Sequence, residues 1–109
     1  MLDTSPLITA VDRFADRLRS APQSRLQQGV AAEALAAARE LSVRAQRAEE
    51  PGLEPRIMPD AGIFAVGDQL AVAGRDLAAA LETASSQELD EAVRSVEAAA
   101  ARAFGPGPR

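Results

Sequence analysis

Between Asp60 and Ala84 the apolar positions recur at helical spacing along two lines rather than one. The first line holds Ile63, Val66, Leu70, Ala73, Leu77, Ala80 and Ala84, in the alternating steps of three and four that mark an apolar helix stripe. The second holds Phe64, Gly67, Ala71, Gly74, Ala78 and Leu81, with its small residues gathered in the middle. A surface helix needs one stripe. Two predict a helix over residues 61–84 that packs on more than one side.

Three further helices follow from the same pattern. Leu7, Ile8, Val11, Phe14, Ala15 and Leu18 form one face of a helix over 6–20, with Asp12, Arg13, Asp16 and Arg17 opposite. Ser5 and Pro6 suit its N-cap and first position, because proline lacks only an N–H that would be unpaired there. Pro22 disfavours helix at Ala21 and separates this helix from a second over 23–48. Ser24 and Gln27 read as a capping box for that second helix. Its stripe is Ala31, Ala34, Ala38, Leu41, Ala45 and Ala48, widened by Leu26, Val30 and Leu35. Asp60 reads as the cap of the central helix. Ser85 to Glu88 reads as another capping box and opens a last helix over 86–104, whose stripe is Leu89, Val93, Val96, Ala100 and Ala103.

Residues 49–59 break the pattern with Pro51, Gly52, Pro55 and Pro59. A loop this long between bundle helices is either a crossover or a functional segment. The two remaining connections are short, so helix 1 is expected against helix 2 and helix 3 against helix 4. The fold expected is all-α, an antiparallel four-helix bundle in a single domain over 1–104. Residues 105–109 are expected to form a disordered tail.

Composition sharpens this. The chain has 109 residues, of which 25 are alanine and 26 are Val, Ile, Leu, Met or Phe. Half of its apolar material is therefore methyl-sized, so the helices form readily but must approach closely to build a core. The tandem steps Gly67-x-x-x-Ala71 and Gly74-x-x-x-Ala78 permit such an approach. They are candidates for a helix-packing seam, expected against helix 2 or 4, or else for a dimer seam about a two-fold axis. Contact within the chain is the favoured reading. Leu53, Ile57 and Met58 are apolar within the proline-rich loop; that they fold back as a lid on the bundle is the favoured reading, and that they face a partner is the alternative.

The chain has no Cys, His, Trp, Tyr or Lys, which removes thiolate chemistry, disulfides and the usual bases for a serine nucleophile. No phosphate loop of either common type is present. No cofactor, metal or catalytic residue is assigned. Net charge is −4, with residues 1–48 at +2 and residues 49–109 at −6. An acidic chain nearly lacking aromatics is not expected to bind nucleic acid. The first residues show neither the basic start nor the apolar run of a leader, and no stretch suits a bilayer, so a cytoplasmic protein is expected.

What remains is an interaction or regulatory module that binds a protein partner or itself. The alternative is a ligand-binding or enzymatic bundle that grips carboxylates with buried arginines, the chemistry by which all-helical chorismate mutases work. Arg13, Arg17 and Arg47 are its candidates. The lysine and first-helix motif of those enzymes are absent, so no family resemblance is drawn.

Overall fold

The computed structural model describes residues 1–105 and contains four long helices with no strand among them. These are α1 (Ser5–Ser20), α2 (Ala31–Glu49), α3 (Val66–Ala80) and α4 (Ser86–Phe104). The tail expected to be disordered lies, from residue 106 on, outside the described residues.

The ends of α1 and α4 follow from their caps. The Asp3 carboxylate accepts the Ser5 N–H at 3.0 Å, and Thr4 rather than Ser5 occupies the N-cap position. This bond holds the Asp3 carboxyl below the ordinary aspartate pKa. At α4 the expected box forms: Ser85 Oγ accepts from the Glu88 N–H, and Glu88 Oε2 accepts from the Ser85 N–H, both at 3.2 Å.

The second helix is broken where a continuous one was expected. Short turns at Gln23–Arg25 and Leu26–Val30 lead into α2, and Gly29 lies at φ 122°, far outside helical space. The Ala31 N–H reaches Leu26 O across one widened turn. No box forms at Ser24 and Gln27, because the turn starts earlier. Pro22 is its N-cap, its O accepting the Arg25 and Leu26 N–H groups, so Ser24 already lies inside the turn and is not at its cap.

The central helix also begins later than its apolar lines implied. Asp60 caps nothing there; its Oδ1 accepts the Gly62 N–H at 2.8 Å in a local turn, and Gly62 lies at φ 98°. The backbone becomes helical only at Val66, and Phe64 falls outside the helix at 75% exposed. At its other end α3 tightens into a narrow turn at Leu81–Thr83.

Packing departs furthest from expectation. The helices with the most extensive contacts are α2 with α3 and α1 with α3, while α4 touches α1 and α2. Around the bundle the order is therefore α1, α3, α2, α4. The two helix pairs joined by short connections, α1 with α2 and α3 with α4, lie across the diagonals, while α2 and α3, joined by the long loop, are neighbours. A short connection fixes only that two helix ends are close. The side faces choose the neighbour. Ion pairs Asp12–Arg75 and Arg19–Asp68 set α1 and α3 antiparallel, and Glu33–Arg102 with the Ser95–Glu40 bond does the same for α2 and α4. Phe14 meets Phe104 edge to face at 6.2 Å, while the Leu2 N–H donates to Glu82 O near the start of α4. Hence α1 and α4 run the same way, as do α2 and α3.

The core lies between these layers. Its largest fully buried side chains are Phe14, Leu7, Leu41, Leu70, Leu77, Val11 and Val96, with Ala15, Ala34, Ala38, Ala73, Ala92 and Ala99 among them. The thinnest dimension of the molecule is 16 Å, which admits two helices and no more. Each helix therefore buries one side and leaves the other to solvent.

Candidate interaction surface

Both glycines of the small-residue line face α1, not α2 or the last helix. A Cβ on Gly74 would stand 2.6 Å from Val11 Cγ1, so Val11 occupies the space that a side chain would need. At Gly67 the nearest atoms are Arg19 Cγ at 3.3 Å and Ala15 O at 3.5 Å. Gly67, Gly74 and Ala78 are buried and Ala71 is half-buried. The chain's own first helix thus covers the glycine side.

Two ion pairs flank that contact. Arg19 Nη2 lies 2.8 Å from Asp68, and Arg75 Nη2 lies 3.2 Å from Asp12. Asp68 raises the pKa of the Arg19 guanidinium through their hydrogen bond. All four side chains are substantially exposed, so each pair contributes at most about 1 kcal/mol.

The proline-rich loop is a crossover, running over residues 50–65 between helices that point the same way. It returns along α2 as an extended strap held through its backbone. Gln46 grips Arg56 twice: its Oε1 accepts the Arg56 N–H at 2.9 Å and its Nε2 donates to Arg56 O at 2.8 Å. Arg39 Nε donates to Met58 O, and Gln69 Nε2 donates to Pro59 O, each at 2.8 Å. Gln69 Oε1, the other side of that amide, is buried without a protein partner.

Because the backbone is what is held, the strap's larger side chains are left facing outward. Leu53 is 59% and Ile57 65% exposed, while Met58 is half-buried against the core. The lid reading thus holds for Met58 alone. Val72 on α3 is 60% exposed and lies on one helix face with Gln69, which grips Pro59, and Asp76, which lines a groove of about 550 Å³ with Ile57. Glu49 and Glu50 line the same groove. Phe64 and Val72 were not singled out from the sequence as surface residues. For Val72 the signal was present: it stands between polar residues at 68, 69, 75 and 76.

On the opposite edge, between α1 and α4, lies a larger groove of about 1000 Å³, lined by Ala10, Arg13, Arg17, Val93, Glu97 and Ala100 among others. The Arg17 guanidinium stacks on the Phe104 ring at 4.2 Å, and that of Arg25 lies over the same ring at 5.4 Å. Arg47 lines a separate groove beside Glu88 and Glu91, at the other end of α4. Arg13, Arg17 and Arg47 are all exposed: the first two share the groove between α1 and α4, Arg47 lies apart from them, and no buried arginine site of the kind the alternative reading needs is formed by the three.

Among the described residues there is no cluster of side chains able to hold a metal ion, and no helix is long and apolar enough to cross a membrane. No protein-family model, curated protein or solved structure matches this chain.

Proposed function

We propose that this chain is a small helical interaction module, working in the cytoplasm, which engages a protein partner or another copy of itself through the edge that its crossover strap covers. The observation that carries this reading is the manner of display. Leu53, Ile57 and Phe64 stand exposed on a segment whose backbone is pinned by Gln46, Arg39 and Gln69, with Val72 exposed on the helix beside it. Ordering a loop costs conformational entropy, and an ordered loop with its apolar groups in water suits a surface that docks without first folding. Exposed apolar patches of this kind mark interaction sites. The glycine line is a weaker candidate, since α1 already lies on it.

The test is site-specific photo-crosslinking in the native cell. A photoreactive residue at Ile57 is expected to give a discrete protein adduct, and one at the exposed Ala98 of α4 is expected to give none. The adduct is also expected to vanish when Leu53 and Val72 are changed to Asp. Equal labelling at both positions, or labelling that survives those changes, would overturn the proposal.

A further inference from the structure

We infer that the partner of the strap edge is a second copy of this chain, docked head to tail into the groove between α1 and α4; this rests on the strap edge being an interaction surface. Three observations meet here. The two surfaces are on opposite edges, since the order around the bundle places the α2–α3 side away from the α1–α4 side. They are opposite in form: one presents outward Leu53 and Ile57, and the other is a groove of about 1000 Å³ with Ala10, Val93 and Ala100 in its lining.

They are also opposite in charge. Glu49, Glu50, Glu54 and Asp76 are exposed on or beside the strap without an ion-pair partner among the described residues, and they outnumber its two cations, the exposed Arg56 and the half-buried Arg39 that donates to Met58 O. Arg13 and Arg17 on the groove, with Arg25 beside them, likewise have no carboxylate partner among the described residues. Of the two acids lining that groove, Asp16 is engaged by Arg19 and only Glu97 stands unpaired.

Charge then selects the symmetry. A two-fold dimer through the strap edges would set carboxylates against carboxylates, and one through the grooves would set guanidiniums against guanidiniums. Strap against groove is the arrangement in which the fields attract. Such a contact leaves one unused surface at each end, so copies add until a ring closes or continue as a filament.

The test is the mass of the purified full chain by sedimentation velocity over a range of concentrations, at about 0.02 M and about 0.5 M salt. The wild type is expected to pass beyond two copies at low salt and to return towards one at high salt. Leu53→Asp with Ile57→Asp removes the strap contact. Arg13→Glu with Arg17→Glu removes the groove contact, and Ala101→Glu, at another residue of the groove's lining, does so while leaving both partners of the Arg17–Phe104 stack in place. Each variant, shown folded by circular dichroism, is expected to remain a single copy. An equimolar mixture of a strap variant and a groove variant is expected to give a heterodimer and nothing larger. A wild type that stays single at every concentration, assembly that salt does not weaken, or a mixture that forms no heterodimer would each overturn the inference. A chain that stays single yet still gives the Ile57 adduct with another protein would overturn head-to-tail docking while leaving the interaction module standing.

Discussion

Val11 fills the place of the side chain that Gly74 lacks: a Cβ there would come within 2.6 and 2.7 Å of its two methyl groups. One heptad earlier, at Gly67, the nearest atom is Arg19 Cγ at 3.3 Å, part of a flexible chain that can move aside. Val11 cannot, because a β-branched residue in a helix is confined to one favoured rotamer.

The same substitution at these two glycines is therefore expected to act differently. Gly74→Ala forces α1 and α3 apart and costs about 1–3 kcal/mol. Gly67→Ala, at the second residue of α3, gains less than the roughly 1 kcal/mol of helix propensity found in a helix interior and asks only a small adjustment of Arg19, so its net effect is near zero or slightly stabilising. Urea unfolding of both variants checks this, together with a double-mutant cycle joining Gly74→Ala to Val11→Ala, in which the clash energy is recovered. Equal costs at the two positions would show that close approach is not what the glycines provide.

Gly29 serves a different need. No atom lies within 4 Å of where its Cβ would be, yet its φ of 122° is one that L-residues rarely adopt. Gly29→Ala is expected to cost about 1–3 kcal/mol from backbone strain despite the empty space. An unchanged unfolding midpoint would mean that the break before α2 is not required.

Gln46 is the residue on which the strap's order depends most, since it meets both the N–H and the C=O of Arg56. Gln46→Ala is expected to speed tryptic cleavage after Arg56 by about fivefold or more, as local opening becomes easier. The global unfolding midpoint should move little, because the bonds lost lie at an exposed segment. Cleavage at the wild-type rate would place the strap's anchor elsewhere.

Asp3 gives the fold a dependence on pH. Its carboxyl titrates below the ordinary aspartate value because the ionised form accepts the Ser5 N–H. The stabilisation is complete above the ordinary aspartate pKa and is lost as pH falls through the lower value of the folded state. Asp3→Asn is expected to flatten that part of the stability curve below the ordinary aspartate pKa. A curve of unchanged slope would remove Asp3 from the account.

Helices α1 and α4 were legible because each has one apolar face and a clear start, and Ser85 with Glu88 is as specific a start as short sequences offer. The break at Gly29 and the late beginning of α3 were not, because apolar periodicity is blind to backbone sign. Gly29 and Gly62 both take positive φ, and nothing in the spacing of Val30, Ala31 or Ile63 records it. The neighbour relations were hidden for another reason. Short connections at residues 21–22 and 84–85 suggested hairpins, but the fit of Val11 over Gly74 is a contact between positions far apart in sequence. On the strap, Leu53 and Ile57 could be marked as apolar among prolines. Phe64 was mistaken for a member of the buried line because its spacing matched and its backbone did not.

The diagonal placement of α1 and α2 bears on synthesis. When the first fifty residues have left the ribosome, α1 and α2 exist as two amphipathic segments whose apolar faces have no lasting partner in each other. Both must wait for the second half of the polypeptide before either is sheltered, so the nascent chain passes through an interval in which its own first half is a client for whatever protects exposed hydrophobic surface in the cell.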